Sequence, residues 1–218
     1  MADAELRAAL VRVGRALVEK GLTRGTSGNV SARTPRGMLI TPSGVPWEDL
    51  QPEMLVELAL EPETPGRLEP SGELRPSTEW RLHARILTLR PDVGAVVHAH
   101  PPFATALSCL RRPIPPFHYM VAAAGGQEIP CAPYATFGTA ELAEGVVAAL
   151  GRCRACLVAN HGMVAIGSTP ESALALAVEV EALAEQYCRA VQVGEPILLS
   201  PEEMLRVMHA FEEYGRPS

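Results

Sequence analysis

Histidines at 98 and 100 close a run of small apolar residues, AVVHAH over 95–100. A β-strand alternates its faces with period two, so both imidazoles point the same way. Neutral imidazoles bury poorly without partners, and Pro101-Pro102 stop the strand directly after them. The pattern fits either a pair of hydrogen-bonded histidines near a turn or part of a metal site. A third histidine, His161, follows its own apolar run, LVAN over 157–160. Two strand ends, one carrying HxH and one a single His, can converge on one tetrahedral position. Three protein ligands with an open fourth place are the mark of a catalytic zinc site.

Glu79 is a fourth candidate. It falls in the first turn of a helix expected to begin at Ser77-Thr78, where a carboxylate also suits the helix dipole without further purpose. The same helix start offers two hydroxyls and free backbone N–H groups, which suit a phosphate. Gly28-Asn29 and Ser43-Gly44 are two more small polar turns whose amides can form anion-binding nests. Each alone is an ordinary turn; three of them beside a metal make a phosphate pocket. His83 and His209 fall inside expected helices and read as structural or surface residues.

Several chemistries are excluded or disfavoured. Lys20 is the only lysine, and its place near the end of an amphipathic helix is poor for a Schiff-base nucleophile. Carbonyl activation therefore points to a metal. A net charge of −6 with no basic cluster beyond Arg111-Arg112 argues against nucleic acid as a partner. No apolar run approaches a membrane span, and the first residues carry no signal-peptide pattern. The five cysteines are an odd number in a chain large enough to need no disulfide staple, which points to the cytoplasm. Cys153 and Cys156 form a lone CxxC that runs straight into an apolar strand, a weak redox or zinc signal.

The elements that must position these residues follow from periodicity. Helices are expected over 4–20, from Ser77 through Leu89, over 103–110, from Thr139 to Leu150, from Thr169 to about Val191 and from Pro201 to Tyr214. Thr26 to Ser31 reads as a small polar turn feeding a short strand, and further short strands are expected at 38–40, 55–60, 93–98, 155–160 and 163–166. Residues 61–76 read as a loop, and 113–134 as irregular with a Gly125-Gly126 turn. Interleaved helices and strands imply a three-layer α/β/α domain spanning 1–218. Several connections are too short for crossover helices, so the sheet should be mixed and largely antiparallel.

The sequence resembles the class II aldolase/adducin family. The resemblance rests on GTSGNVSAR (25–33), MLITPSGVP (38–46), PSTEWRLH (76–83), AVVHAH (95–100), IPPFHYMVAAAGG (114–126), IPCAPYATFGT (129–139), NHGM (160–163) and the closing YG (214–215). It implies that His98, His100 and His161 bind Zn2+, with Glu79 as fourth ligand and as acid/base once substrate displaces it. Gly28, Asn29, Ser43, Gly44, Ser77 and Thr78 match the family's phosphate-binding positions. Tyr119 matches a tyrosine that reaches a neighbouring subunit's active site, and Phe137 and Tyr214 match residues around the substrate aldehyde. The implied assembly is a homotetramer with sites at subunit interfaces. The implied activity is zinc-dependent cleavage of L-fuculose 1-phosphate, or a related ketose 1-phosphate, to dihydroxyacetone phosphate and L-lactaldehyde. Within the family the alternatives are a sugar-phosphate 4-epimerase and a methylthioribulose-phosphate dehydratase. A non-enzymatic adducin-like module should have lost metal ligands, and here all three histidines are present. Asn160 stands where a second histidine can occur and receives no role.

Overall fold

The computed structural model describes residues 3–60 and 74–213. Tyr214 and most of the expected 61–76 loop lie outside the described residues. Seven strands form one sheet in the order β3-β2-β1-β4-β7-β6-β5. They are β1 (Asn29–Thr34), β2 (Gly37–Ile40), β3 (Val56–Leu58), β4 (Ala95–Ala99), β5 (Cys131–Ala132), β6 (Ala155–Val158) and β7 (Gly162–Gly167). Every pairing is antiparallel except β5 with β6, so the mixed, largely antiparallel sheet is borne out. β5 was expected to be irregular. Its two residues carry no periodicity to read, and pairing with β6 makes them a strand.

Helices cover both faces. On one side lie α1 (Asp3–Glu19), α3 (Pro102–Cys109) and α5 (Pro170–Val193). They pack on the alternate strand residues Val30, Ala32, Leu39, Val97, Leu157 and Ala165. On the other lie α2 (Trp80–Leu89) and α4 (Ala140–Leu150), over Met38, Ile40, Val96, Val158 and Val164. The last helix, α6 (Pro201–Glu213), packs against a 3-10 turn at Tyr119–Ala124. Thr139 caps α4, and Thr169 with Ser172 forms a capping box at α5, where Pro170 takes the first helical position. These are strong local start signals.

Two details place the site. The isolated bridge between Pro42 and Pro76, reinforced by Ser43 N–H on Arg75 O and Ser77 N–H on Thr41 O, brings the Ser43-Gly44 turn against the start of α2. At the β4–β7 junction, Gly162 has no room for a side chain. A Cβ there would lie 2.4 Å from the Ala99 carbonyl oxygen and 2.7 Å from His100 Cδ2. The bare backbone lets β7 approach β4 closely enough to seat the His100 ring. Gly162→Ala should therefore cost about 1–3 kcal/mol of stability through overpacking and shift His100. Chemical denaturation and zinc titration of the variant check both effects. Wild-type zinc affinity in Gly162→Ala would show that the contact does not position the ring.

Candidate metal centre

β4 carries His98 on the α2 face of the sheet and delivers His100 one residue beyond its end. His161 lies in the short turn between β6 and β7, directly after the strand expected over 155–160. Glu79 precedes α2 as its N-cap residue, so the helix begins at Trp80, later than expected. Its side chain caps no backbone N–H. The carboxylate turns across to the sheet, where Oε2 lies 3.0 Å from His98 Nε2 and Oε1 3.5 Å from His161 Nε2. His100 Nε2 and His98 Nε2 are 2.9 Å apart. The candidate ligand atoms of Glu79, His98, His100 and His161 all lie within 4.8 Å of one another, so the structure brings together the four residues expected from the sequence.

The electrostatics suit a cation. Glu79 is only 6% exposed and His98 not at all. Burial opposes ionisation of Glu79, but the charge and hydrogen bond of His98, then His161 and Asn29, hold its pKa well below the usual carboxylate range. Burial also disfavours the charged form of His98; the Glu79 carboxylate outweighs it and shifts His98 up. Burial, then His98 and the other cluster imidazole, pushes His100 down to about 3. Burial, then His98, pushes His161 down to about 4. The surroundings of Glu79 and His98 thus favour a positive charge, and burial holds the other two imidazoles towards the neutral form.

The His98 Nδ1–H donates to the Met163 carbonyl at 2.9 Å, leaving Nε2 for the site, the arrangement by which a backbone carbonyl fixes the ligating nitrogen. Glu79 Oε1 is buried without a hydrogen-bond partner, an orphan acceptor that a bound cation would satisfy. Three imidazoles and one carboxylate at these separations form a donor set suited to a divalent metal such as zinc.

The cluster opens into a cavity of about 380 Å³. Its walls include Gly28, Asn29, Ser43, Gly44, Ser77 and Thr78, all the positions expected to bind phosphate, together with Glu79, His100, His161 and Phe137. Gly28 and Gly44 adopt positive φ, 78° and 75°, which turns the backbone tightly at little cost only for glycine. Gly28 also packs against the end of β4, its Cβ position 2.9 Å from the His98 carbonyl oxygen. Tyr119 does not line the cavity of its own chain. It is 50% exposed and stacked on Phe211.

Three contributors escaped the sequence reading. Tyr134 lines the cavity beside Phe137. Asn160, also in the wall, sits at φ 54°, as does Arg111, whose Nε–H donates to Asn160 Oδ1 at 2.9 Å. These are the only non-glycine residues with positive φ among the described residues. His83 is fully buried and bonded to Asn29 and Ser31. Its position four residues after Glu79, hence on the same face of α2, was the available signal. Cys153 and Cys156 form no disulfide, and burial raises the pKa of both thiols, away from the reactive thiolate.

Comparison with known proteins agrees with this geometry. The family model described as Class II Aldolase and Adducin N-terminal domain matches residues 8–188. A 5-methylthioribulose-1-phosphate/5-deoxyribulose-1-phosphate aldolase of Rhodospirillum rubrum is 52% identical over 210 residues, covering 96% of this chain and 92% of that protein. An L-fuculose phosphate aldolase of Escherichia coli O6:H1 is 49% identical over 196 residues, covering 89% and 88%. A solved structure of L-fuculose 1-phosphate aldolase matches with a TM-score of 0.90 and 38% identity, over 97% of this chain and 98% of that one.

The ligand set has a direct test. Wild type should bind about one zinc ion per chain, and His98→Ala or His161→Ala should lose it, as measured by metal analysis after dialysis. Full zinc content in either variant would remove that residue from the set.

Proposed function

Since the chain belongs to the class II aldolase and adducin family, we propose that it is a zinc-dependent aldehyde-lyase of deoxyketose 1-phosphates. It would release dihydroxyacetone phosphate and a small aldehyde. Cleavage of the aldehyde-lyase type comes with the family and with the relatives above. One observation carries the substrate class: the Glu79–histidine cluster and three small polar turns open into the same cavity. That cavity therefore offers a carbonyl site and an anion site side by side. The substrates named for the two curated relatives share a 1-phosphate and a deoxygenated far end, whether methyl or methylthio. Tyr134 and Phe137, exposed in the remaining wall, give such an end an apolar surface. L-Fuculose 1-phosphate and 5-deoxyribulose 1-phosphate are both in this class. One methyl group in a pocket distinguishes such substrates by only about 1–3 kcal/mol.

His98, His100 and His161 would hold the metal, with Glu79 as fourth ligand before substrate enters. The metal supplies Lewis acidity to the substrate carbonyl and to the negative charge that develops when the carbon–carbon bond breaks. Backbone amides and hydroxyls at Gly28, Asn29, Ser43, Gly44, Ser77 and Thr78 would bind the phosphate. A base takes the proton from the C4 hydroxyl, the C3–C4 bond breaks, and its electron pair stays with the phosphate-bearing half. Glu79, displaced by substrate and protonated from solvent, would then deliver that proton to C3, while the base returns its own proton to solvent. Tyr119 is the candidate for the C4 hydroxyl proton. Its exposed position outside its own chain's cavity suits action on a neighbouring copy, within the proposed homotetramer. Phe137 and Tyr214 would flank the aldehyde. A single domain working in the cytoplasm fits this reading, as do five cysteines with no disulfide among them.

The deciding assay is release of dihydroxyacetone phosphate from L-fuculose 1-phosphate and 5-deoxyribulose 1-phosphate. Activity should vanish on chelation and return with zinc. Zinc-loaded protein that releases none from either compound would defeat the reading. Glu79→Gln should bind zinc more weakly, through the three histidines, and at saturating zinc lose about 10²–10⁴-fold in turnover. Tyr119→Phe should keep zinc and lose mainly turnover; an unchanged rate would remove Tyr119 from the proton path.

A further inference from the structure

Beneath the metal cluster lies a row of polar side chains, two of which, Ser31 and His83, the proposed chemistry does not use. Asn29 and Ser31 are alternate residues of β1, so both face α2. Glu79 and His83 stand one turn apart at the start of that helix. Between them run three contacts: Ser31 Oγ to His83 Nδ1 at 2.7 Å, His83 Nε2 to Asn29 Oδ1, and Asn29 Nδ2 to Glu79 Oε2 at 3.1 Å. All four residues are buried.

With Glu79 ionised and His83 neutral, only one arrangement of hydrogens satisfies this row. An ionised carboxylate accepts and cannot donate, so the Asn29 amide must face Glu79 with its NH₂ end. Its oxygen then faces His83, whose Nε2 must carry a proton. The neutral ring has no second proton, so Nδ1 accepts, and Ser31 must donate to it. A charged His83 would leave Ser31 without an acceptor on the ring. Burial foremost, with the charge of His98, pushes the His83 pKa down to about 3, so the ring stays neutral. The chain of donors has one direction, ending on the oxygen of Glu79 that also meets His98.

We propose that Ser31 and His83 are positioning residues that lock the Asn29 amide with its NH₂ end on Glu79. Asn29 has a second N–H, available to an oxygen in the cavity that it lines. Without the lock the amide can turn over and set its oxygen against the carboxylate, a repulsive contact in a buried site. The role of Glu79 as ligand and proton carrier comes from the aldolase reading, and the proposal rests on that reading.

The test combines zinc affinity, measured by competition with a chromophoric chelator, with ¹⁵N spectra of histidine-labelled, metal-free protein. In wild type, His83 should be neutral and protonated on Nε2 between about pH 6 and 8. His83→Phe should weaken zinc binding by about 10–100-fold, the usual cost of losing a partner behind a ligand, and lower turnover at saturating zinc. His83→Gln, which keeps an N–H at the Nε2 position, should recover most of both. Ser31→Ala is the milder variant should His83→Phe not fold. It should weaken zinc binding by less and admit the Nδ1–H tautomer of His83. An Nδ1–H tautomer in wild type, zinc affinity within about 2-fold of wild type in Ser31→Ala and His83→Phe alike, or a Gln variant no better than Phe would each overturn the proposal. Failure of wild type to release dihydroxyacetone phosphate would instead sink the aldolase reading, leaving zinc affinity and tautomer to judge the lock.

Discussion

The contact between Glu79 and His98 is the constraint around which this fold is organised. A carboxylate and an imidazole have been taken out of water on the inner face of a sheet, where unpaired charge costs several kcal/mol. Each is acceptable only because the other is there and because further partners satisfy what remains. Met163 O holds the far side of His98, and Asn29 holds one oxygen of Glu79. The other oxygen stays orphaned. A cluster with one acceptor unsatisfied and two imidazoles kept neutral by burial favours a positive charge. It is the electrostatic shape of a cation site.

The sheet meets this constraint through β1. Its residues on the α1 and α5 side, Val30 and Ala32, are ordinary core. Those on the α2 side are Asn29, Ser31 and Arg33, and all three are engaged beneath α2. Asn29 and Ser31 serve the Glu79–His83 turn, while the Arg33 guanidinium bonds the carbonyls of Arg90 and Val93 at 3.0 Å each. The start and the end of α2 are therefore both tied to one strand by polar side chains. Hydrophobic packing by Leu82, Ile86 and Leu87 sets the depth of the helix, but apolar contact is non-directional. The polar ties specify its rotation and hence where Glu79 points.

The division of labour explains what the sequence could and could not reveal. Helices with amphipathic periods and caps were legible to within a few residues, since period and caps are local properties. His98, His100 and His161 were legible because histidine at the end of an apolar run is costly without a purpose. β5 was not, because two residues have no period and become a strand only through β6. Both faces of β1 are covered: Val30 and Ala32 lie in the core on one side, and Asn29 and Ser31 are buried on the other. His83 read as a bland helical histidine because its partners lie more than fifty residues away, on β1. The Arg111–Asn160 pair was invisible because positive φ at a non-glycine residue is set by tertiary context.

The cavity itself is built unequally, and this bears on what can vary among relatives with different substrates. One wall is largely backbone: two turns with glycines at positive φ, of which Ser43-Gly44 is pinned against the start of α2 through the Pro42–Pro76 bridge. Backbone amides bind a phosphate with little regard for the rest of the molecule, so this wall suits the invariant half of a ketose 1-phosphate. The facing wall is made of exposed side chains, Tyr134, Phe137 and Asn160, with Arg111 held against Asn160 and over the Tyr134 ring. Side chains can change one at a time without moving the metal ligands, whose geometry is fixed by β4, the β6–β7 turn and the start of α2. On the proposed reading, aldehyde preference can therefore drift on the Tyr134–Asn160 side while the proposed carbonyl and phosphate sites stay as they are. Two relatives of nearly equal identity that are named for different ketose phosphates are what such a division would produce.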